Sequence, residues 1–216
     1  MDNTTPPAAS GNKPDNGATP TDVLSFWLGD GLTLGWPTQD LGKRWFGGGA
    51  ELDAEIKARF GSRVAEAMAG GLKDWEGEPL SRLALIILLD QFTRNVFRGS
   101  GKAFEGDSRS QKLVMDALAK GWDKKLPLVG RIFLLMPLMH AENLALQDEC
   151  VRRFRQLAEE APPERRESLQ GNANFAVQHR DIIARFRRFP HRNTAMGRES
   201  TAEEEAFLTS GPRFGQ

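Results

Sequence analysis

Residues 79–98, Pro-Leu-Ser-Arg-Leu-Ala-Leu-Ile-Ile-Leu-Leu-Asp-Gln-Phe-Thr-Arg-Asn-Val-Phe-Arg, contain the longest apolar run of the chain, Leu83 to Leu89. Pro79 suits the first turn of a helix, where its missing N–H is not needed, and nothing breaks the pattern before about Phe97. A helix apolar nearly all round has no face for water, so this one is expected to be the central buried helix. The run is far shorter than the roughly 20 residues that span a bilayer, so no membrane span is encoded.

On either side the periodicity stays helical. Thr19, Pro20 and Asp22 form a helix start, with Thr19 as N-cap, and Val23, Leu24, Phe26 and Trp27 follow before Gly29. Residues 29–49 carry many glycines with Trp36, Trp45 and Phe46 and read as a loop pinned by aromatic anchors. From Ala50, the residues Leu52, Ile56, Phe60, Val64 and Met68 recur every four positions, an amphipathic helix ended by Gly70 and Gly71. Asp107 is a candidate cap for a helix bearing Leu113, Val114, Ala117 and Leu118. Pro127 starts another segment, and Pro137 either kinks it or opens a longer helix through Leu144, Val151, Phe154 and Leu157. After Pro162 and Pro163 a helix over 164–187 is expected to bury Phe175, Ala176, His179, Ile182, Ile183 and Phe186. Ser200 and Glu203 have capping-box spacing for a last helix. No stretch alternates like a strand. The fold class is therefore all-α, with antiparallel helix pairs stacked in a tetratricopeptide-like superhelix, although no internal repeat carries that family's spacing.

Composition narrows the classes. The chain's 216 residues suit one helical domain over 20–216 preceded by a disordered tail, 1–19, which lacks the apolar and basic regions of a secretory signal. The 29 basic and 29 acidic residues cancel, which argues against nucleic acid as a partner. The single cysteine, Cys150, excludes an intramolecular disulfide and a Cys-rich zinc site, and a cytoplasmic location is expected.

Polar residues inside apolar stretches mark the candidate site. Asp90 stands four residues before Arg94, so the two side chains can meet on a helix; a buried carboxylate needs such a partner, and a structural ion pair is the plain alternative to a site residue. His140, His179 and His191 all sit among apolar or aromatic neighbours. One such histidine is most often a hydrogen-bonded core residue, whereas three invite a search for convergence. None has the four-residue spacing of a zincin pair, so neither metal nor cofactor is expected. Residues 185–193 interleave four arginines with two phenylalanines, either an anion-binding segment or a solvated helix end neutralised by Glu203, Glu204 and Glu205. Arg98-Gly99-Ser100-Gly101-Lys102 looks like a phosphate loop but has Val96 and Ala103 where that motif needs Gly and Ser or Thr. Ser100 and Cys150 have no motif marking them as nucleophiles.

The strings LALIILLDQFTRNVFRG at 83–99, LMHAEN at 138–143, HRDIIARFRRFPHRN at 179–193 and MGREST at 196–201 together resemble the bacterial domain-of-unknown-function family 924. The resemblance extends from Thr21 onward. It implies an all-helical, tetratricopeptide-like fold and one cluster of Asp90, Arg94, Asn95, His140, Glu142, His179, His191, Arg192 and Asn193, and it supplies no activity. Thr93 stands where the family usually has Pro, which bears on how the central helix ends. Arg187 stands where Gly is frequent, which bears on a tight turn there.

Two functions follow as expectations. In the first, a helical module holds a small anionic molecule or an acidic peptide end through Arg94, Asn95, His140, Glu142, His179, His191, Arg192 and Asn193. In the second, a metal-independent hydrolase or lyase uses His140 or His179 as general base, oriented by Asp90 or Glu142. A histidine nitrogen within hydrogen-bond reach of a carboxylate and opening onto a cleft favours the second.

Overall fold

The computed structural model describes residues 17–212, and the tail expected over 1–19 lies, up to residue 16, outside the described residues. Among the described residues there are ten α-helices and no strand: α1 Pro20–Leu28, α2 Gly31–Leu34, α3 Ala50–Met68, α4 Pro79–Ile87, α5 Thr93–Val96, α6 Asp107–Ala119, α7 Leu128–Met139, α8 Leu144–Glu160, α9 Pro163–Phe186 and α10 Ala202–Ser210. The fold is all-α.

Local chemistry explains most helix ends. Thr19 and Asp22 close a reciprocal capping box at α1, satisfying two of the amides that a helix start leaves unpaired. Asn143 caps α8 by accepting from the Leu146 amide. Pro137 lies inside the last turn of α7, which stops at Met139, so α7 and α8 are separate helices joined by residues 140–143. Gln147 fixes that joint, donating to the carbonyls of Met139 at 2.7 Å and Ala141 at 2.8 Å. Two caps differ from expectation. Asp107 does not cap α6; it is the first helical residue, and its side chain serves two arginines instead. The final capping box is Thr201 with Glu204 rather than Ser200 with Glu203, because the Ser200 hydroxyl accepts from Asn193 at 3.0 Å.

The central helix is buried as expected, with Leu83 through Asp90 fully out of solvent. It is not one regular α-helix: Leu88–Phe92 widens into a π-turn between α4 and α5. Thr93 stabilises that widening. Its amide reaches back to the Leu88 carbonyl, and its hydroxyl donates to the Leu89 carbonyl at 2.9 Å. Around this helix pack Phe26 and Trp27 of α1, Phe60 of α3 and Phe133 of α7, with Phe92 touching Phe60 and Trp27 at centroid separations of 5.0 and 5.3 Å.

α8 and α9 form an antiparallel pair: Asp148 near the start of α8 meets Arg180 near the end of α9 at 2.9 Å. Such pairing is compatible with tetratricopeptide-like stacking. On α9, Ala176, His179, Ile182 and Ile183 are buried, while Phe175 is 53% exposed and does not belong to the core face. The turn after α9 is tight despite the absence of glycine, since Arg187 adopts φ +62°, a left-handed conformation that costs a side-chain-bearing residue about 1–2 kcal/mol. Residues 29–49, expected as a loop pinned by aromatic anchors, hold α2 and a second π-turn, Lys43–Gly47, pinned by the Trp45 indole donating to the Trp27 carbonyl at 2.7 Å.

Candidate functional site

The π-turn brings Asp90 to the centre of the molecule. Its carboxylate is wholly buried and meets three donors: Arg94 at 3.3 Å, the amide of Gln91, and Nδ1 of His140 at 2.8 Å. Burial pushes the Asp90 carboxyl up, but the Arg94 guanidinium and His140 outweigh it and hold the group well below the usual carboxylate range, so it is ionised.

His140 ends α7, where its backbone amide still bonds the Met136 carbonyl and Gln147 ties down the following turn. Burial lowers its pKa below the ordinary imidazole value, with Asp90 opposing and Arg94 assisting. A neutral ring facing a carboxylate carries its proton on Nδ1 and donates it to Asp90, which leaves Nε2 as the basic nitrogen.

Behind this pair stands a residue that sequence reading assigned to a cap. Asp107 accepts from Arg94 at 3.0 and 3.2 Å and from Arg192 at 3.3 Å. Arg192 is buried between the rings of Phe104 and Phe189, at 4.6 and 4.5 Å, and burial brings its pKa down to about 10. Its Nε–H has no acceptor among the described residues. Burial also pushes the Asp107 carboxyl up against both arginines. Asp90 and Asp107 thus balance Arg94 and Arg192.

A pocket of about 440 Å³ opens against His140, within the size range of small-molecule sites. Gln91, Arg94, Asn95, His140, His179 and His191 supply polar wall; Trp27, Trp45, Ile132, Met136 and Met139 supply apolar wall. The three histidines therefore converge, His140 and His179 with ring centroids 6.3 Å apart. The His179 Nδ1–H donates to the Phe175 carbonyl at 2.8 Å, and burial lowers its pKa to about 3. His191 is lowered to about 4, by burial first and then by Arg192. All three imidazoles are neutral near pH 7.

Three expected residues lie elsewhere. Arg192 is sealed behind the wall. Glu142 is held by Arg198 at 2.6 and 2.9 Å and accepts from the Phe189 amide at 2.9 Å, so it orients no histidine. Asn193 joins Ser200, Glu204 and Arg198 in a cluster under α10. Conversely Gln91, Arg44, Trp45, Phe46, Asn172 and Phe175 line the pocket without having been singled out as site residues. Asp107 and Arg192 are 85 positions apart, and no local pattern announces such a meeting.

Among the described residues no group of three or more His, Cys, Asp or Glu is placed to hold a metal. The Cys150 thiol is buried, its pKa pushed up by burial, near the Leu135 carbonyl. In the stretch resembling a phosphate loop, Ser100 caps Lys102 and Arg98 pairs with Asp53 at 2.7 Å. A more open depression of about 600 Å³ between α8 and α9 is lined by Asp148, Arg152, Arg155 and Arg180, none of them buried; it lacks the desolvated groups that chemistry needs. No helix among the described residues is long and apolar enough to cross a membrane.

Comparison with known proteins agrees with this fold. The family described as "Bacterial protein of unknown function (DUF924)" matches residues 23–212. A solved structure of a protein of unknown function from Agrobacterium tumefaciens is similar to this chain, with 31% identity and a TM-score of 0.74, covering 89% of this chain and 97% of the other. No curated protein matches.

Proposed function

Because the chain belongs to the bacterial family of unknown function DUF924, we propose its chemistry from the pocket itself: an enzyme, a hydrolase or lyase of small molecules, in which His140 oriented by Asp90 is the general base. The observation that carries this reading is the 2.8 Å contact between His140 Nδ1 and the ionised, buried Asp90 beside a pocket. The carboxylate fixes the tautomer and the ring plane, and stabilises the imidazolium that forms when Nε2 takes a proton. A proton taken from water makes the attacking hydroxide of a hydrolysis; a proton taken from carbon begins an elimination. Asn95, on the same wall and held by Asp53 at 2.8 Å, carries a second amide N–H that can face developing negative charge.

The alternative, a non-catalytic module holding a small anion or acidic peptide through Arg94, Asn95, His140, Glu142, His179, His191, Arg192 and Asn193, draws less support. Asp90 and Asp107 already neutralise Arg94 and Arg192, and Glu142 and Asn193 are engaged outside the pocket wall.

The test is hydrolysis of 4-nitrophenyl acetate and 4-nitrophenyl propionate by wild type, His140→Gln and Asp90→Asn. Loss of a positioned general base costs on the order of 10²- to 10⁴-fold, so both variants are expected to lose at least 10²-fold in kcat/KM while keeping the wild-type circular dichroism. Activity unchanged in His140→Gln, or absent from wild type on these esters and on a panel of elimination substrates, overturns the reading.

A further inference from the structure

We propose that the pocket selects a small molecule with an apolar body and a single carboxylate, and that Arg44 is the residue that recognises the carboxylate. This rests on reading the pocket as a substrate site, and it goes beyond the dyad by naming the substrate class.

Charge accounting comes first. Three arginines line the pocket. Arg94 is committed to Asp90 and Asp107, and Arg98 to Asp53 through two hydrogen bonds of 2.7 and 2.9 Å. Arg44 has no carboxylate partner among the described residues. It is half-buried, stacks 4.8 Å from the Phe26 ring, and places one N–H on the Phe26 carbonyl at 2.5 Å. A guanidinium presents five N–H donors in a rigid fork suited to a carboxylate, so most of this fork has no acceptor among the described residues. The side chain is not a loose surface group either. It is carried on the π-turn Lys43–Gly47, which Trp45 anchors to α1.

The apolar wall supplies the second, independent argument. Phe46 and Phe175, 61% and 53% exposed, both line this pocket, and large apolar side chains left open around a cleft are characteristic of surfaces that a ligand covers. Deeper in, the buried Trp27 indole N–H has no acceptor among the described residues, which costs roughly 1–3 kcal/mol unless something else accepts it. One unpaired guanidinium supplies one positive charge, matched by a monoanion; a phosphate dianion would leave a net negative charge in a largely apolar enclosure. The occupant is therefore a monocarboxylic acid with a largely apolar body and one further polar group, the one on which a hydrolase or lyase would act and one able to accept from the Trp27 N–H.

The test compares 4-phenylbutyrate with 4-phenylbutyramide by calorimetry on the full chain. A charged hydrogen bond worth about 1.5–3 kcal/mol corresponds to roughly 10- to 150-fold in affinity, so wild type is expected to bind the acid at least tenfold more tightly than the amide. Arg44→Gln should abolish that preference while leaving the amide's affinity within about twofold, and Arg44→Lys should keep part of it. Should Arg44→Gln fold poorly, the salt dependence of wild-type acid binding, absent for the amide, carries the same information. Equal affinities in wild type, no binding of either probe, or a preference that survives in Arg44→Gln would sink the proposal. His140→Gln separates the two readings: it should retain the acid preference, so a dead dyad with intact selectivity indicts the catalytic reading alone, and lost selectivity with intact turnover indicts Arg44 alone.

Discussion

Asp90 is the residue on which the interior depends. Its single negative charge satisfies Arg94 and His140 together, and removing one partner of a buried pair costs about 3–5 kcal/mol because the other charge is left uncompensated. Asp90→Ala is therefore expected to lower stability by that amount in urea titrations, several times more than Asp53→Ala, whose partner Arg98 is exposed to water. Histidine burial sets the response to acid. For His179, whose folded pKa is about 3, the unfolded chain takes a proton near pH 6.5 while the folded chain does not. The unfolded state then holds more protons between those values, so stability falls as pH drops from about 6.5 toward 3. His179→Asn keeps a donor for the Phe175 carbonyl and removes the titration; its urea midpoint should vary less than wild type between pH 6.5 and 4.5, and an unchanged slope would assign the acid loss to other groups. Of these residues the sequence announces only the neighbours. Asp90 and Arg94 are legible because four positions on a helix put them together. The partnership of Asp90 with His140, 50 positions away, is set by tertiary packing and has no local signature.

At the scale of elements, helix existence was readable and helix irregularity was not. Apolar periodicity and caps identify α1, α3, α4 and α9, because burial on one side and unpaired amides at the ends constrain residue choice. Nothing in the run Leu83–Leu89 foretells the π-turn that follows, since a π-turn keeps the same apolar composition and differs only in which carbonyl each amide reaches. Thr93 holds the widened turn: its hydroxyl occupies the Leu89 carbonyl that a regular i−4 amide would bond. Thr93→Val removes that donor at constant shape and is expected to cost about 1–3 kcal/mol, read as a lower urea midpoint. The same carbonyl explains Gly106. A Cβ there would stand 2.3 Å from the Leu89 oxygen, so Gly106→Ala must move the π-turn or the start of α6. A loss of about 1–3 kcal/mol is expected, accompanied by weaker ligand binding, because Asp90 and Asp107 sit on the two segments pushed apart. Full retention of both would mean that the backbone yields there without disturbing the pair.

Across the whole molecule two hydrophobic clusters differ in how they are held. One runs continuously from α1 to α9 and buries the aromatic centre. The other is small, Ile182, Ile183 and Phe189 with Leu144, Phe186 and Phe207 against it, and it lies where the chain after α9 returns through His191 to α10. With so little apolar surface, that region relies on ion pairs, Glu142 with Arg198 and Glu204 with Arg188. This arrangement explains why the basic segment 185–193 could not be assigned from sequence: both readings weighed for it, anion binding and neutralisation by the acidic run, fit its composition. Arg185 and Arg188 pair with Glu203 and Glu204, whereas Arg192 turns inward to Asp107. Regions held by few apolar contacts open at lower free energy than the core, so amides of 198–210 should exchange with solvent faster than those of α4 and α7. Glu142→Gln weakens the Arg198 fork while keeping an acceptor for the Phe189 amide. Loss of a charged hydrogen bond worth about 1.5 kcal/mol corresponds to roughly tenfold in the opening equilibrium, so exchange through 187–205 should quicken about tenfold with α4 and α7 unchanged. Because His191 belongs to that segment and lines the pocket, ligand binding should reverse the effect. Uniform acceleration across all helices would instead show that the C-terminal region opens only when the whole core does.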